Sequence, residues 1–90
     1  LSPEKAVECA RLRAEILVLQ ERYEEAAQLL ELAIERAKTP EPIRLELART
    51  LAKGNQKAKA RGVYQKLLES DRLTGEGRRL VEREYEAISP

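Results

Sequence analysis

The sequence contains no histidine and a single cysteine, Cys9. A chain without histidine cannot form a Ser–His–Asp triad, a Cys–His dyad or the usual histidine-containing zinc sites, and one cysteine cannot form an intramolecular disulfide. The sequence also has no glycine-rich phosphate loop and no recognisable acid–base pair of carboxylates. We therefore expect no enzymatic activity, no cofactor, and no catalytic or metal-binding residue.

Phenylalanine and tryptophan are absent as well, and four glycines and few β-branched residues are present. This composition argues against a β-sandwich or a β-barrel. No apolar run approaches the roughly 18 residues of a membrane span, and no signal-peptide hydrophobic region is present. Because the chain begins with Leu rather than Met, we expect it to be a fragment of a longer protein. The absence of a targeting signal therefore does not identify a compartment.

Helix-forming residues dominate what remains. Leu, Ala, Glu, Arg and Lys make up 58 of the 90 residues, above the roughly 50% typical of long helices and coiled coils. Ninety residues suffice for one small domain. The sequence therefore predicts an all-α domain over residues 1–90.

Apolar residues at three- and four-residue steps, together with helix start and stop signals, predict five helices. Ser2-Pro3 is a start signal, because serine caps the first turn and proline fits the first helical position. The prolines of residues 39–42 separate the second helix from the third, and Gly54-Asn55, where both residues tolerate a positive φ, ends the third. The predicted helices are residues 3–20, 23–37, 42–53, 56–70 and 74–90. The short links predict antiparallel neighbours.

Sliding the sequence along itself so that Ala14 falls on Ala48 superposes residues of similar type. The same shift brings together Leu17 and Leu51, Ala26 and Ala60, Leu30 and Tyr64, and Ala33 and Leu67. A second shift of the same length brings Leu51 onto Tyr85 and Leu47 onto Val81, and the helix break at Gln20-Glu21 falls on Gly54-Asn55. Small residues recur where helices must approach closely and large ones where a gap must be filled. The sequence therefore predicts a repeated helical hairpin.

This pattern resembles the tetratricopeptide repeat, a unit of about 34 residues folded as two antiparallel helices. The segment Tyr23-Glu24-Glu25-Ala26 is similar to the family's start of the second helix. The resemblance implies a right-handed α-solenoid, with repeat 1 at about 7–40, repeat 2 at about 41–74, and a half repeat or terminal helix at 75–90. The chain departs from the family pattern at four places. Ala10, Arg44 and Arg78 replace an aromatic residue, and Glu82 replaces a small one.

The resemblance also implies a function. Members of the family bind peptides or proteins in a concave groove lined by the first helix of each unit, so the chain would be a protein-interaction module acting as scaffold or adaptor. The family register implies that the groove is lined by Arg11, Leu12, Glu15, Val18 and Leu19, then Leu45, Glu46, Arg49, Ala52 and Lys53, then Arg79, Leu80 and Arg83. The aliphatic side chains would receive a partner's apolar groups, and the arginines would pair with its carboxylates. Alternatively, a neighbouring segment or a second copy covers this stripe.

One specialised role of the family is not expected. Some members use a carboxylate clamp of basic and amide side chains to bind the acidic C-terminal tails of heat-shock chaperones. At the matching positions this chain has Arg11, Glu15, Glu46, Glu76 and Leu80. Three acidic residues would repel the tail, so we exclude that role.

Charge is unevenly divided along the chain. Residues 1–48 carry seven basic and ten acidic residues, whereas residues 49–90 carry ten and six. The stretch from Arg49 to Lys66 contains no acidic residue. Since the chain is nearly neutral overall and has no aromatic residue free for base stacking, we interpret this stretch as solvated helix faces and do not expect a nucleic-acid partner.

An alternative function is self-association through the terminal helices. Val81, Tyr85 and Ile88 on the fifth helix are expected to need a cover, which a second copy or further repeats would supply. Cys9 lies among small residues and is expected to be buried, and the three tyrosines are expected to fill core positions.

Overall fold

The computed structural model describes residues 2–89, which form five α-helices. These are α1 (Pro3–Leu19), α2 (Tyr23–Arg36), α3 (Glu41–Lys53), α4 (Lys57–Leu68) and α5 (Gly75–Ile88). The predicted bounds agree with these to within two residues, and residue 90, to which the fifth helix was extended, lies outside the described residues. None of the five helices combines the length and the apolar character that a membrane-spanning segment needs.

The start of α1 follows the predicted capping pattern. The Ser2 hydroxyl oxygen accepts a hydrogen bond from the Lys5 backbone N–H at 3.2 Å, and Pro3 occupies the first helical position. The side chain thereby satisfies one of the backbone donors that a helix leaves unpaired at its N-terminus.

The links α1–α2 and α3–α4 share one backbone feature. Glu21 and Asn55, which occupy equivalent positions in the two repeats, have φ values of 60° and 64°. Gly54, which would also tolerate a positive φ, has a φ of −80°. Glycine is needed there for a different reason: a Cβ on Gly54 would lie 2.8 Å from the Tyr23 Cβ. The repeat therefore places one left-handed residue in each of these links.

The helices pack chiefly on their neighbours in sequence, α1 on α2, α2 on α3, α3 on α4, and α4 on α5. This order produces a right-handed α-solenoid of antiparallel helix pairs, as predicted, and the described residues contain no strand. The first helices of the pairs, α1 and α3, are followed by α5 as the last element of the same row. These three helices carry the candidate site.

The core alternates small and large residues, as the repeat pattern predicts. Alanines occupy the closest helix contacts, and all of Ala14, Ala26, Ala48 and Ala60 are buried. The largest fully buried side chains are Leu30, Ile43, Leu67 and Val81. Burial of each such aliphatic side chain contributes about 1.5–3 kcal/mol to the free energy of unfolding. Tyr64 is buried among them, whereas Tyr23 and Tyr85 are half-buried.

Two burial expectations are wrong. Cys9 is exposed, because its equivalent in the next repeat, Ile43, is covered by the preceding helix pair, whereas no helix of the described residues precedes α1. Val81 is only 1% exposed, and Tyr85 and Ile88 pack against the core. The apolar face of α5 is therefore already covered, and the terminal apolar surface that does remain lies on α1.

Candidate functional site

A cavity of about 350 Å³ opens between α1 and α3. Seven of the residues that the family register puts in the groove line it: Arg11, Glu15, Val18, Leu19, Glu46, Arg49 and Lys53. We name this opening the α1–α3 cavity. Its volume falls within the range of roughly 300–1,000 Å³ that is usual for ligand sites.

The periodicity of the two helices explains why these side chains meet. Residues 11, 15, 18 and 19 of α1 are spaced by three and four, as are residues 46, 49, 50 and 53 of α3, so each set shares one helix face. The floor of the cavity is formed by Ala14 and by Leu30 from α2, both of which are buried. Leu19 lies at the rim with 84% of its surface exposed. The cavity thus has an apolar floor and a mixed, charged rim.

A second cavity of about 480 Å³ lies on the other side of α3, between the N-terminal parts of α3 and α5. We name it the α3–α5 cavity. Its apolar lining residues are Pro42, Leu45, Leu67, Leu73, Leu80 and Val81. Leu45 and Leu80 were predicted to face the groove. The contribution of the α4–α5 link through Leu73 was not, because a link has no periodicity from which a face can be assigned.

Two ion pairs join the three groove helices. Arg11 on α1 binds Glu46 on α3 through both carboxylate oxygens, with Nη2–Oε1 and Nε–Oε2 distances of 2.6 and 3.1 Å. Arg49 on α3 binds Glu84 on α5 in the same two-pronged way, with Nε donating to Oε1 at 2.8 Å. We call these four residues the ion-pair strip. Both guanidinium groups that were expected to await a partner's carboxylate therefore already have one within the chain.

A third polar group reinforces the strip. The Tyr64 hydroxyl on α4 donates to Glu84 Oε1 at 2.9 Å. The hydrogen bond from Arg49, and after it that from Tyr64, lowers the pKa of the Glu84 carboxyl. Burial and the neighbouring carboxylate raise the pKa of Tyr64, and the bonded carboxylates raise the pKa of Arg11 and Arg49. Arg11, Arg49 and Glu84 are therefore charged at neutral pH, whereas Tyr64 is protonated.

Other predicted groove residues lie elsewhere. Arg79 and Arg83 line a separate recess on α5 together with Glu82 and Glu86, so the outward face of α5 carries mixed charge. Ala52 packs against the core. Leu12 lines neither cavity. The basic residues Lys57, Lys59 and Lys66 on α4 are exposed, as expected of a solvated helix face.

Leu12 belongs to an apolar stripe on the outer side of α1. Leu12 and Ile16 are 54% and 55% exposed, and with Cys9 and Leu19 they follow helical spacing along one face. We name Cys9, Leu12 and Ile16 the α1 edge. The residues equivalent to Cys9 and Ile16 in the next repeat are Ile43 and Thr50, and both are buried. The residue equivalent to Leu12 is Glu46, which is half-buried. Two of the three positions of the α1 edge are thus exposed counterparts of positions that are buried on α3.

Among residues 2–89, no group of three or more Cys, Asp or Glu side chains is arranged to hold a metal ion. The described part of the groove presents two apolar recesses, the ion-pair strip that crosses α3, and the charges of Glu15 and Lys53 at the rim, which form no ion pair there.

A row of helical hairpins stacked at a constant sequence spacing, with a groove across the first helix of each, defines an α-solenoid repeat protein. The sequence model of the tetratricopeptide repeat family matches residues 17–83. The chain therefore belongs to the tetratricopeptide repeat family, a class of repeats that generally mediate protein–protein interaction. No curated protein and no solved structure matches the chain.

Proposed function

We propose that this protein is a non-catalytic interaction module, a scaffold or adaptor, that binds a peptide or protein segment in the groove formed by α1, α3 and α5. The single observation that carries this proposal is the α1–α3 cavity, in which seven of the predicted groove residues surround one apolar floor. The proposal includes the division of a single domain into repeats at about 7–40 and 41–74 and a terminal helix at 75–90.

The composition of the cavity indicates what kind of segment it would bind. Val18 and Leu19 offer apolar surface above the buried floor of Ala14 and Leu30, and covering this surface contributes about 25 cal/mol per Å² to the free energy of binding. Within residues 2–89, Lys53 forms no ion pair. A partner's carboxylate would therefore meet Lys53 without first breaking an intramolecular bond, whereas Arg11 and Arg49 would have to give up Glu46 and Glu84.

Selection from a random dodecapeptide library displayed on phage, followed by fluorescence anisotropy with the selected peptides, tests this function. Leu19→Glu and Leu45→Glu should each weaken binding at least about tenfold, because each puts a charge on apolar surface that the partner must cover. Since Leu19 is highly exposed and Leu45 is half-buried at the groove, the thermal transition should move by only a few degrees.

Leu32→Glu is the matched control. Leu32 is 55% exposed on α2 and lines neither cavity, so binding should be unchanged. If Leu32→Glu weakens binding as much as Leu19→Glu, or if no peptide is selected, the groove is not the binding surface. A large loss of stability in Leu19→Glu would instead assign that residue to the core.

A second candidate function is assembly through the end of the solenoid, as a structural or self-associating segment. The α1 edge favours it, since Ile43 and Thr50, the α3 equivalents of Cys9 and Ile16, are buried. Of the two terminal helices, only α1 offers such a surface; α5 turns Arg79, Glu82, Arg83 and Glu86 outward. The two functions are compatible, because the α1 edge and the two cavities share no residue.

A further inference from the structure

The two cavities of the groove are placed diagonally. On α3, the α1–α3 cavity is lined by Glu46, Arg49, Thr50 and Lys53, and the α3–α5 cavity is lined by Glu41, Pro42 and Leu45. Thr50 and Lys53, the pair farthest along α3 in the first cavity, lie eight positions after Pro42 and Leu45. Eight residues correspond to about 12 Å along a helix axis and to a rotation of roughly 80°, which brings the two pairs to different flanks of α3.

The ion pairs lie near the middle of α3. Arg11–Glu46 bridges α1 and α3, and Arg49–Glu84 bridges α3 and α5 about one turn further along α3. At the junction equivalent to Arg11–Glu46, one repeat later, the chain has Leu45 and Leu80. The same pair of repeat positions thus forms an ion pair between α1 and α3 and lines the apolar cavity between α3 and α5.

We infer that the groove recognises an extended segment with two aliphatic side chains four to five residues apart, one in each cavity. Beyond the aliphatic residue that occupies the α1–α3 cavity, the segment carries a carboxylate, which pairs with Lys53. This inference rests on the proposed function and specifies its partner. The two cavities are offset by about 12 Å along the axis of α3 and by roughly 9 Å across it. These perpendicular offsets give a distance of about 15 Å between the two aliphatic side chains. An extended chain rises about 3.3 Å per residue, so four to five residues span this distance.

The charges of the groove fit such a segment. Between Leu45 and Lys53 the segment crosses Glu46 and Arg49, whose charges are neutralised by Arg11 and Glu84. The three or four intervening residues therefore need no charge of their own. Beyond the α1–α3 cavity, Lys53 on α3 is unpaired among the described residues and attracts a carboxylate, while Glu15 on α1 repels it. The carboxylate is thereby directed to the α3 side.

The test uses fluorescein-labelled dodecapeptides of Ser, Gly and Gln that carry two leucines two to eight positions apart, with one leucine as the reference. The dissociation constant should be lowest at a separation of four or five and about tenfold higher, close to the one-leucine peptide, at two or eight. A glutamate placed next to one leucine, on the side away from the other leucine, should strengthen binding severalfold relative to a lysine at the same position. The Lys53→Glu variant should instead bind the lysine peptide more tightly than the glutamate peptide.

One exposed leucine in each cavity allows the two cavities to be tested separately: Leu19 lines the α1–α3 cavity and Leu80 lines the α3–α5 cavity. Leu80→Ser and Leu19→Ser should each reduce the best two-leucine peptide to the affinity of the one-leucine peptide, whereas Leu32→Ser should leave it unchanged. Far-UV circular dichroism verifies that each variant is folded. Affinity that does not depend on leucine spacing overturns the inference but leaves the proposed function intact, provided that library-selected peptides still lose affinity with Leu19→Glu. If neither the designed nor the library peptides bind, both fall.

Discussion

Individual residues of this protein are constrained by close helix approach more than by backbone conformation. Gly54 illustrates the difference. Its φ of −80° suits any residue, yet a side chain there would collide with Tyr23 on the neighbouring hairpin helix. The sequence alone marks Gly54 as a helix stop, but the reason for glycine lies in a contact between residues far apart in the chain, which local patterns do not contain.

Gly54→Ala should lower the free energy of unfolding by about 1–3 kcal/mol, because its Cβ would lie 2.8 Å from the Tyr23 Cβ and force the α1–α2 and α3–α4 hairpins apart. Gly62→Ala provides the comparison. Gly62 lies inside α4 with no atom within 4 Å of an added Cβ, so alanine should raise stability by about 0.5–1 kcal/mol through helix propensity. Urea unfolding followed by circular dichroism measures both. Equal effects of the two substitutions would show that Gly54 is not tightly packed.

Cys9 is a second residue whose environment the sequence does not predict, because it is exposed and not buried. Its neighbours Ala6 and Ala10 indicate a closely packed face, and the position equivalent to Cys9 in α3 is indeed buried as Ile43. Whether a helix face is covered depends on the presence of a preceding helix pair. That condition is a property of the whole array and leaves no mark on the residues themselves.

At the scale of elements, the helices were predictable and their polar connections were not. The repeat period and the start and stop signals give the five helices, their order and their buried faces. The ion-pair strip escapes such reasoning, because Arg11–Glu46 and Arg49–Glu84 are each 35 residues apart. Pairing rules for sequence apply to residues three or four apart on one helix, whereas these partners meet only after α1, α3 and α5 are aligned side by side.

Glu84 connects three elements, since it accepts hydrogen bonds from Arg49 on α3 and Tyr64 on α4. Because its pKa is lowered in the folded protein, Glu84 contributes stability above its unfolded pKa of about 4.3 and loses that contribution as the pH falls through the folded value. Glu84→Gln should therefore cost about 1 kcal/mol at pH 7 and much less at pH 3. Urea unfolding at both pH values measures the difference.

Glu31→Gln serves as the control for this effect. Glu31 is exposed on α2 and forms no ion pair with any residue in 2–89. Its substitution should change stability by less than about 0.5 kcal/mol at either pH. A cost of Glu84→Gln that stays the same from pH 7 to pH 3 would mean that the carboxylate's charge does not stabilise the fold.

The whole molecule has two unlike ends. The outward face of α5 carries Arg79, Glu82, Arg83 and Glu86, whereas the α1 edge is apolar. Glu82 also stands where the other two units have a small residue that allows a close second helix, so α5 is poorly suited to pack a further one. A polar outer face is what a terminal element of a repeat array requires for solubility. At the α1 end, by contrast, the described residues expose the apolar side chains of Leu12 and Ile16.

If the second candidate function holds, light scattering after size-exclusion chromatography should show a mass that rises with concentration towards that of a dimer. Ile16→Glu should keep the protein monomeric without unfolding it, because Ile16 is 55% exposed. Leu45→Glu, which alters the groove, should leave the association unchanged. A protein that is monomeric at all concentrations, or an Ile16→Glu variant that still associates, would remove this function.

Packing on sequence neighbours has a consequence for how the protein forms. Each helix can pack as soon as the preceding helix has folded, so each packing step closes only a short loop. Contacts that are local in sequence are associated with fast folding. It also means that the register between hairpins is set locally. Deleting or duplicating one whole repeat would shorten or lengthen the groove by one repeat and leave the other interfaces between helix pairs unchanged.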